Sequence, residues 1–157
     1  MRYLTPAIIL LSLMPPPNTY AKEITLLGCD FIVGMPSNVK VENITSKHFS
    51  FEQAKSFVGD VVLQAECLPY SAQENEIKKM ALDHAQGVGG YGAHIRRIDP
   101  RRYESRFYKN IEGVGTATFL THIHVGPRST LVAVGGVAST KFPNDEILRF
   151  HKSIKPR

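Results

Sequence analysis

The sequence predicts an α+β fold, a single domain built on an antiparallel β-sheet of about six to seven strands covered by two main helices. Three observations lead there. Segments with period-two alternation recur along the chain; in one, Ala117, Phe119, Thr121, Ile123 and Val125 share a face while Thr118, Leu120, His122 and His124 share the other. The connections between these segments are short, which requires antiparallel neighbours. Two stretches, one after Ser71 and one after Pro143, replace the alternation with helical spacing.

The elements follow in order. Arg2, an apolar run through Ile8, Ile9, Leu10, Leu11, Leu13 and Met14, a break at Pro15, and Thr19-Tyr20-Ala21 together read as an export signal over 1–21, cleaved after Ala21. The run is well short of the roughly 20 apolar residues of a membrane span, so the expectation is a periplasmic or secreted protein without a transmembrane anchor. The globular domain is then 22–157. A first strand is expected over 28–33, stopped by the turn residues Met35-Pro36-Ser37-Asn38. A half-exposed strand follows over 39–45, with Val39 and Val41 opposite Lys40 and Glu42. Phe49, Phe51 and Gln53 favour another strand. Gly59-Asp60 turns the chain into a strand over 61–68, ended by Pro69.

Ser71 and Glu74 have the spacing of a capping box and predict a helix. Ile77, Met80, Ala81, His84 and Ala85 form its inner face, and Gly87 ends it. Four strands are expected over 93–98, 102–109, 115–125 and 128–135, joined as a meander by Asp99-Pro100, the segment 110–115 and Gly126-Pro127. Asp145 and Glu146 suit the first turn of a terminal helix, with Ile147, Phe150 and Ile154 facing inward.

Hydrophobic and charged fractions of 43% and 21% exclude a disordered chain. The formal net charge of +5 is concentrated: Arg96, Arg97, Arg101, Arg102, Arg106 and Lys109 crowd a stretch whose acids are Asp99 and Glu104. Such a surface suits an anionic envelope component or an acidic protein, and export argues against nucleic acid. Tyr103 and Phe107 fall on the core face of that stretch, whereas Tyr108 falls with Arg102, Glu104 and Arg106. The candidate binding residues are therefore Arg96, Arg97, Arg102, Arg106 and Tyr108.

The two cysteines, in an oxidising compartment, predict a Cys29–Cys67 disulfide, both thiols lying on core-side faces. Leu26-Leu27-Gly28-Cys29 offers a competing use as a lipobox with an acylated Cys29, although Pro15, Lys22 and Glu23 separate it from the apolar run. Asn43-Ile44-Thr45 is a glycosylation sequon in a eukaryotic host.

Phe31-Ile32-Val33 followed by Met35-Pro36, together with the close Phe150-His151-Lys152-Ser153-Ile154 and the order of elements, resembles the PsbP-like group of small exported accessory proteins. The resemblance implies an α/β/α sandwich and a non-catalytic, accessory role. It assigns no site residues, and the two cysteines and the glycines at 87–92 depart from it.

Three further constellations bear on chemistry. Gly87-Val88-Gly89-Gly90-Tyr91-Gly92 matches G-x-G-x-x-G, but a dinucleotide site needs a strand before it and a helix after it, and here that order is reversed. His122 and His124 share a strand face and form the alternative reading, a metal site or metal-dependent enzyme, with His94 or His84 as a further ligand. No nucleophile elbow is present, and Glu66, Asp83, Asp99, Glu104 and Glu112 are scattered. The sequence thus leads to an exported binding or accessory protein, without an expected cofactor and with no catalytic residue, and leaves its oligomeric state open.

Overall fold

A computed structural model describes residues 22–157; the expected export signal, 1–21, lies outside the described residues. The strands are β1 (Lys22–Ile24), β2 (Phe31–Met35), β3 (Lys40–Thr45), β4 (Ser50–Val58), β5 (Val61–Leu68), β6 (Tyr91–Asp99), β7 (Arg102–Ile111), β8 (Gly115–Val125), β9 (Thr130–Ala138) and β10 (Lys155–Pro156). The helices are α1 (Glu74–Gly87) and α2 (Asp145–Lys152), with a short 3-10 turn at Ser139–Lys141.

Seven strands form one antiparallel sheet in the order β3-β4-β5-β9-β8-β7-β6. The chain leaves this sheet after β5, crosses through α1 to the far edge, and returns strand by strand until β9 pairs with β5. Both faces are covered. On one, Leu63, Ala65, Leu120, Leu131 and Ala133 pack against Phe31, Val33, Met35, Ile147 and Phe150. On the other, Tyr103, Ile123, Val132 and Val134 pack against Ile77 and Ala81 of α1. Burial on both faces explains why β9 reads as the nearly continuous apolar run TLVAVGGVA rather than as an alternating one.

The predicted antiparallel sheet with two helices is present, but the protein contains more sheet than the sequence implied. β1, β2 and β10 form a second, three-stranded sheet stacked beside α2. Its outer strands have three and two residues, too short to generate a readable period. Cys29 precedes β2 rather than lying within it, and its disulfide to Cys67 ties this second layer to the end of β5, with a Cα–Cα distance of 5.8 Å. That bond uses the sulfur that acylation at the lipobox would need.

Two local expectations require correction. Helix α1 begins at Glu74 with Gln73 as its N-cap, and the reach-back is made by Glu76, whose carboxylate accepts from the Gln73 backbone N–H at 2.6 Å. The Ser71–Glu74 box is displaced because Ala72 is held below the helix, its N–H donating to the buried hydroxyl of Thr130 at 2.9 Å. The half-exposed strand expected over 39–45 is present as the edge strand β3, but it is more exposed than its alternation implied, with Val41 48% exposed.

Candidate functional site

Alternation along β7 sorts the basic stretch into two faces. Tyr103, Ser105 and Phe107 are buried on the α1 side, and Arg102, Glu104, Arg106 and Tyr108 point to the opposite side. Antiparallel register extends the second face onto β6, placing Arg96 opposite Glu104 and His94 opposite Arg106. Arg96 Nη2 donates to Glu104 Oε1 at 3.0 Å, and the Arg106 guanidinium lies 4.8 Å from the centre of the Phe142 ring. Gly92, His94 and Tyr108 complete a shallow groove of about 370 Å³.

Arg97 does not join this surface. It faces α1, pairing with Glu74 at 3.5 Å and resting 5.9 Å from the Tyr103 ring centre. Of the five predicted binding residues, four share a face and one lies behind the sheet.

At the Arg102 end of the same face the surface opens into a cleft of about 830 Å³, formed where the β6–β7 turn, the β8–β9 turn and the β2–β10 pair meet. Its lining is more apolar than polar, with Phe31, Val125 and Ile154 contributing to the walls. Four arginines surround it: Arg101 and Arg102 from the basic stretch, Arg128 from the β8–β9 turn, and Arg157 beyond β10. Two carboxylates accompany them. Asp30 Oδ1 accepts from Nε and Nη2 of Arg128 at 3.1 Å each, and Oδ2 accepts from the backbone N–H groups of Arg128 and Ser129 at 2.8 and 2.9 Å. Burial pushes the Asp30 pKa up, but these bonds outweigh it and hold the carboxyl below its ordinary value. Asp99 accepts from the Arg101 backbone N–H at 2.8 Å and from Arg102 Nε, and these bonds lower its pKa as well.

The pairings leave a remainder. Arg128 is engaged by Asp30 and Arg102 by Asp99, whereas the side chains of Arg101 and Arg157 have no partner among the described residues. The cleft therefore presents two guanidinium groups without a side-chain partner among the described residues, over an apolar lining. Sequence reasoning named Arg102, noted Arg101 in the basic stretch without choosing it as a binding residue, and missed Asp30, Arg128 and Arg157, which local patterning does not connect.

His122 and His124 do lie on one face of β8, their ring centres 6.2 Å apart. A third imidazole joins them: His151 of α2 stacks on His122 with centres 4.0 Å apart, and its Nε2 lies 3.2 Å from the Leu120 carbonyl oxygen. The signal for His151 was its position four residues after Ile147 on the inner stripe of α2. Burial lowers all three pKa values, that of His124 to about 4, while Glu104, 3.3 Å from His122 Nε2, partly opposes the shift at His122. The trio is therefore neutral near pH 7.

The expected extra ligands do not assemble. His94 faces the groove beside Arg106, and His84 sits behind the sheet, 5.9 Å from the Phe107 ring. Among the described residues no group of three or more histidine, cysteine, aspartate or glutamate side chains is arranged to hold a metal ion. The glycine cluster also has a conformational explanation: α1 ends at Gly87 and β6 begins at Tyr91, Gly89 turns the chain between them at a φ of +73°, and Gly92, at +64°, sits at a register irregularity within β6.

No protein-family model matches the sequence, and no curated protein matches it either. The functional reading therefore rests on the chain's own side chains.

Proposed function

We propose that this chain is an exported, non-enzymatic binding or accessory protein of the periplasm or cell envelope that engages an anionic envelope component through its basic end. One observation carries the reading. Three separate segments, the 96–109 stretch, the β8–β9 turn and the residues after β10, bring Arg101, Arg102, Arg128 and Arg157 around one cleft, with Arg106 on the adjoining face. Convergence of guanidinium groups with two left unpaired suits recognition of carboxylate or phosphate.

Export is supported by the cysteine chemistry: both cysteines are used in the disulfide, as an oxidising compartment favours. No helix among the described residues is long and apolar enough to cross a membrane. Cover on both faces of the sheet, by α1 on one side and by α2 with the small sheet on the other, supports the PsbP-like likeness as part of this proposal.

The test is co-sedimentation with vesicles of anionic phosphatidylglycerol against vesicles of neutral phosphatidylcholine. Association is expected with the anionic vesicles alone. It should weaken as salt rises, fall in an R101E/R106E double variant, and persist in H122A, whose imidazole does not line the cleft. Equal association with neutral vesicles, or none with either, overturns the reading.

A further inference from the structure

We propose that the cleft between the β6–β7 turn, the β8–β9 turn and the β2–β10 pair is a binding site for a small amphiphilic organic anion, a carboxylate or phosphate ester carrying a hydrocarbon body. This deepens the anion-binding reading and rests on it. A purely electrostatic patch needs no cavity and no apolar lining. Here the two features coincide in one place.

The volume of about 830 Å³ falls within the range of small-molecule sites, roughly 300–1,000 Å³. Its lining divides by chemistry. Arg101 and Arg157, both exposed and without side-chain partners among the described residues, supply donors for an anionic head. Phe31 and Ile154, with Val125, supply the surface for the body. Arg102 and Arg128 are engaged by Asp99 and Asp30, which leaves the guanidinium donors of Arg101 and Arg157 free for a ligand.

Behind the wall lies an unmet hydrogen-bonding group. His124 lines the cleft, is 92% buried by its 8% exposure, and its Nε2 has no hydrogen-bond partner. A buried polar atom left unpaired is unfavourable and uncommon in native structures. The Phe31 ring meets His124 edge-on at 5.6 Å, so the apolar and polar parts of the wall are in contact. The lining is close-packed at Gly126: a side chain there would place its Cβ 2.5 Å from Asp30 Oδ2, so the β8–β9 turn is seated directly on the carboxylate.

The experiment is calorimetric titration of the full chain with four probes: octanoate, octyl phosphate and octyl glucoside, each below its micelle concentration, and inorganic phosphate. The octyl anions separate a carboxylate head from a phosphate one. The glucoside keeps the chain without the charge, and inorganic phosphate keeps the charge without the chain. Binding of at least one octyl anion, at least about tenfold tighter than both octyl glucoside and inorganic phosphate, supports the proposal. An R101E/R157E variant should weaken the octyl anion by about tenfold or more, with its melting temperature unchanged because both residues are exposed. In nuclear magnetic resonance, the amides of Gly126 and Arg128 should shift with the same titration.

The outcomes separate the two readings. Octyl glucoside binding as tightly as the octyl anions overturns anion recognition at the cleft. Inorganic phosphate binding as tightly as octyl phosphate overturns the amphiphile while leaving the anion reading intact. No binding of any probe, with vesicle association retained, overturns the cleft site alone.

Discussion

Asp30 and Arg128, separated by 98 residues, meet as a carboxylate and a guanidinium at 3.1 Å, and the same carboxylate takes the backbone N–H of Arg128. The pairing joins the entrance of β2 to the β8–β9 turn, so the second sheet and the main sheet share one polar anchor at the cleft. Ser129 completes it: its hydroxyl donates to Asp30 Oδ2 at 3.0 Å and accepts from the Asp30 backbone N–H at 2.8 Å.

Asp30→Asn tests this anchor. Every polar group facing the Asp30 side chain is a donor, so either orientation of the amide sets its NH₂ against a donor. Hydrogen bonds to charged groups contribute about 1.5–3 kcal/mol, and a loss of about 2–3 kcal/mol is expected by urea denaturation at neutral pH. Because the folded carboxyl titrates below its ordinary value, its contribution is complete above about pH 4 and is lost as pH falls through the folded pKa. An unchanged urea midpoint in the variant would show that the turn holds without it.

The Cys29–Cys67 bond closes a sequence separation of 38 residues, and both cysteines are buried. Loop closure of that length stabilises by about 3–4 kcal/mol in the chain-entropy account. A C29S/C67S variant should lose that amount. The loss should also be uneven: amides of β1 and β2 should exchange faster than those of β8 and β9, because the bond ties the smaller sheet to the larger one. Uniform acceleration across both sheets would contradict a clamp between layers.

Helix α2 sits on the main sheet where β9 has no side chain. A Cβ at Gly135 would lie 2.6 Å from Ile147 Cγ2 and 3.2 Å from Ile147 Cβ, and Ile147 is fully buried. Gly135→Ala should therefore cost about 1–3 kcal/mol by overpacking. Ile147→Ala should cost about 2–5 kcal/mol by leaving a cavity. The double variant should cost less than the sum, since the new methyl occupies part of the space vacated. Strict additivity would mean that α2 shifts freely and the contact is not specific.

The main sheet was legible because its strands are long enough to show a period. The β8 boundaries, Gly115–Val125, coincide with the alternation of Phe119 and Ile123 against Leu120 and His122. The second sheet was not legible, since Lys155–Pro156 has no period at all. Within the basic stretch, composition grouped Arg97 with Arg96, but adjacent strand residues point to opposite faces, and only Arg96 reaches the open side. The cleft itself depends on tertiary closure. Arg101, Arg128 and Arg157 belong to three segments whose proximity follows from the return of β9 to β5 and the docking of β10 on β2. His151 was visible on a helical stripe, but its stacking on His122 depends on how α2 crosses the sheet.

That stack makes stability sensitive to mild acid. Burial keeps His122, His124 and His151 neutral, with their pKa values below the ordinary 6.5 and that of His124 near 4. Glu104 favours a charged His122, whereas Arg102 and Arg96 oppose it, and the imidazoles oppose charge on one another. An unfolded chain binds these protons at about pH 6.5, so between there and about pH 4 it carries more protons than the folded chain. Stability must therefore fall as pH drops through that window, by up to about 3 kcal/mol for His124 alone. His151→Phe separates this effect from general acid unfolding. The variant keeps a ring against His122, gives up the contact with the Leu120 carbonyl at a cost of about 1 kcal/mol near neutral pH, and removes one titrating site. Urea midpoints measured at pH 7 and pH 5 should then differ less in the variant than in the wild type. If the wild type shows the same midpoint at both values, the imidazoles are not held neutral by burial.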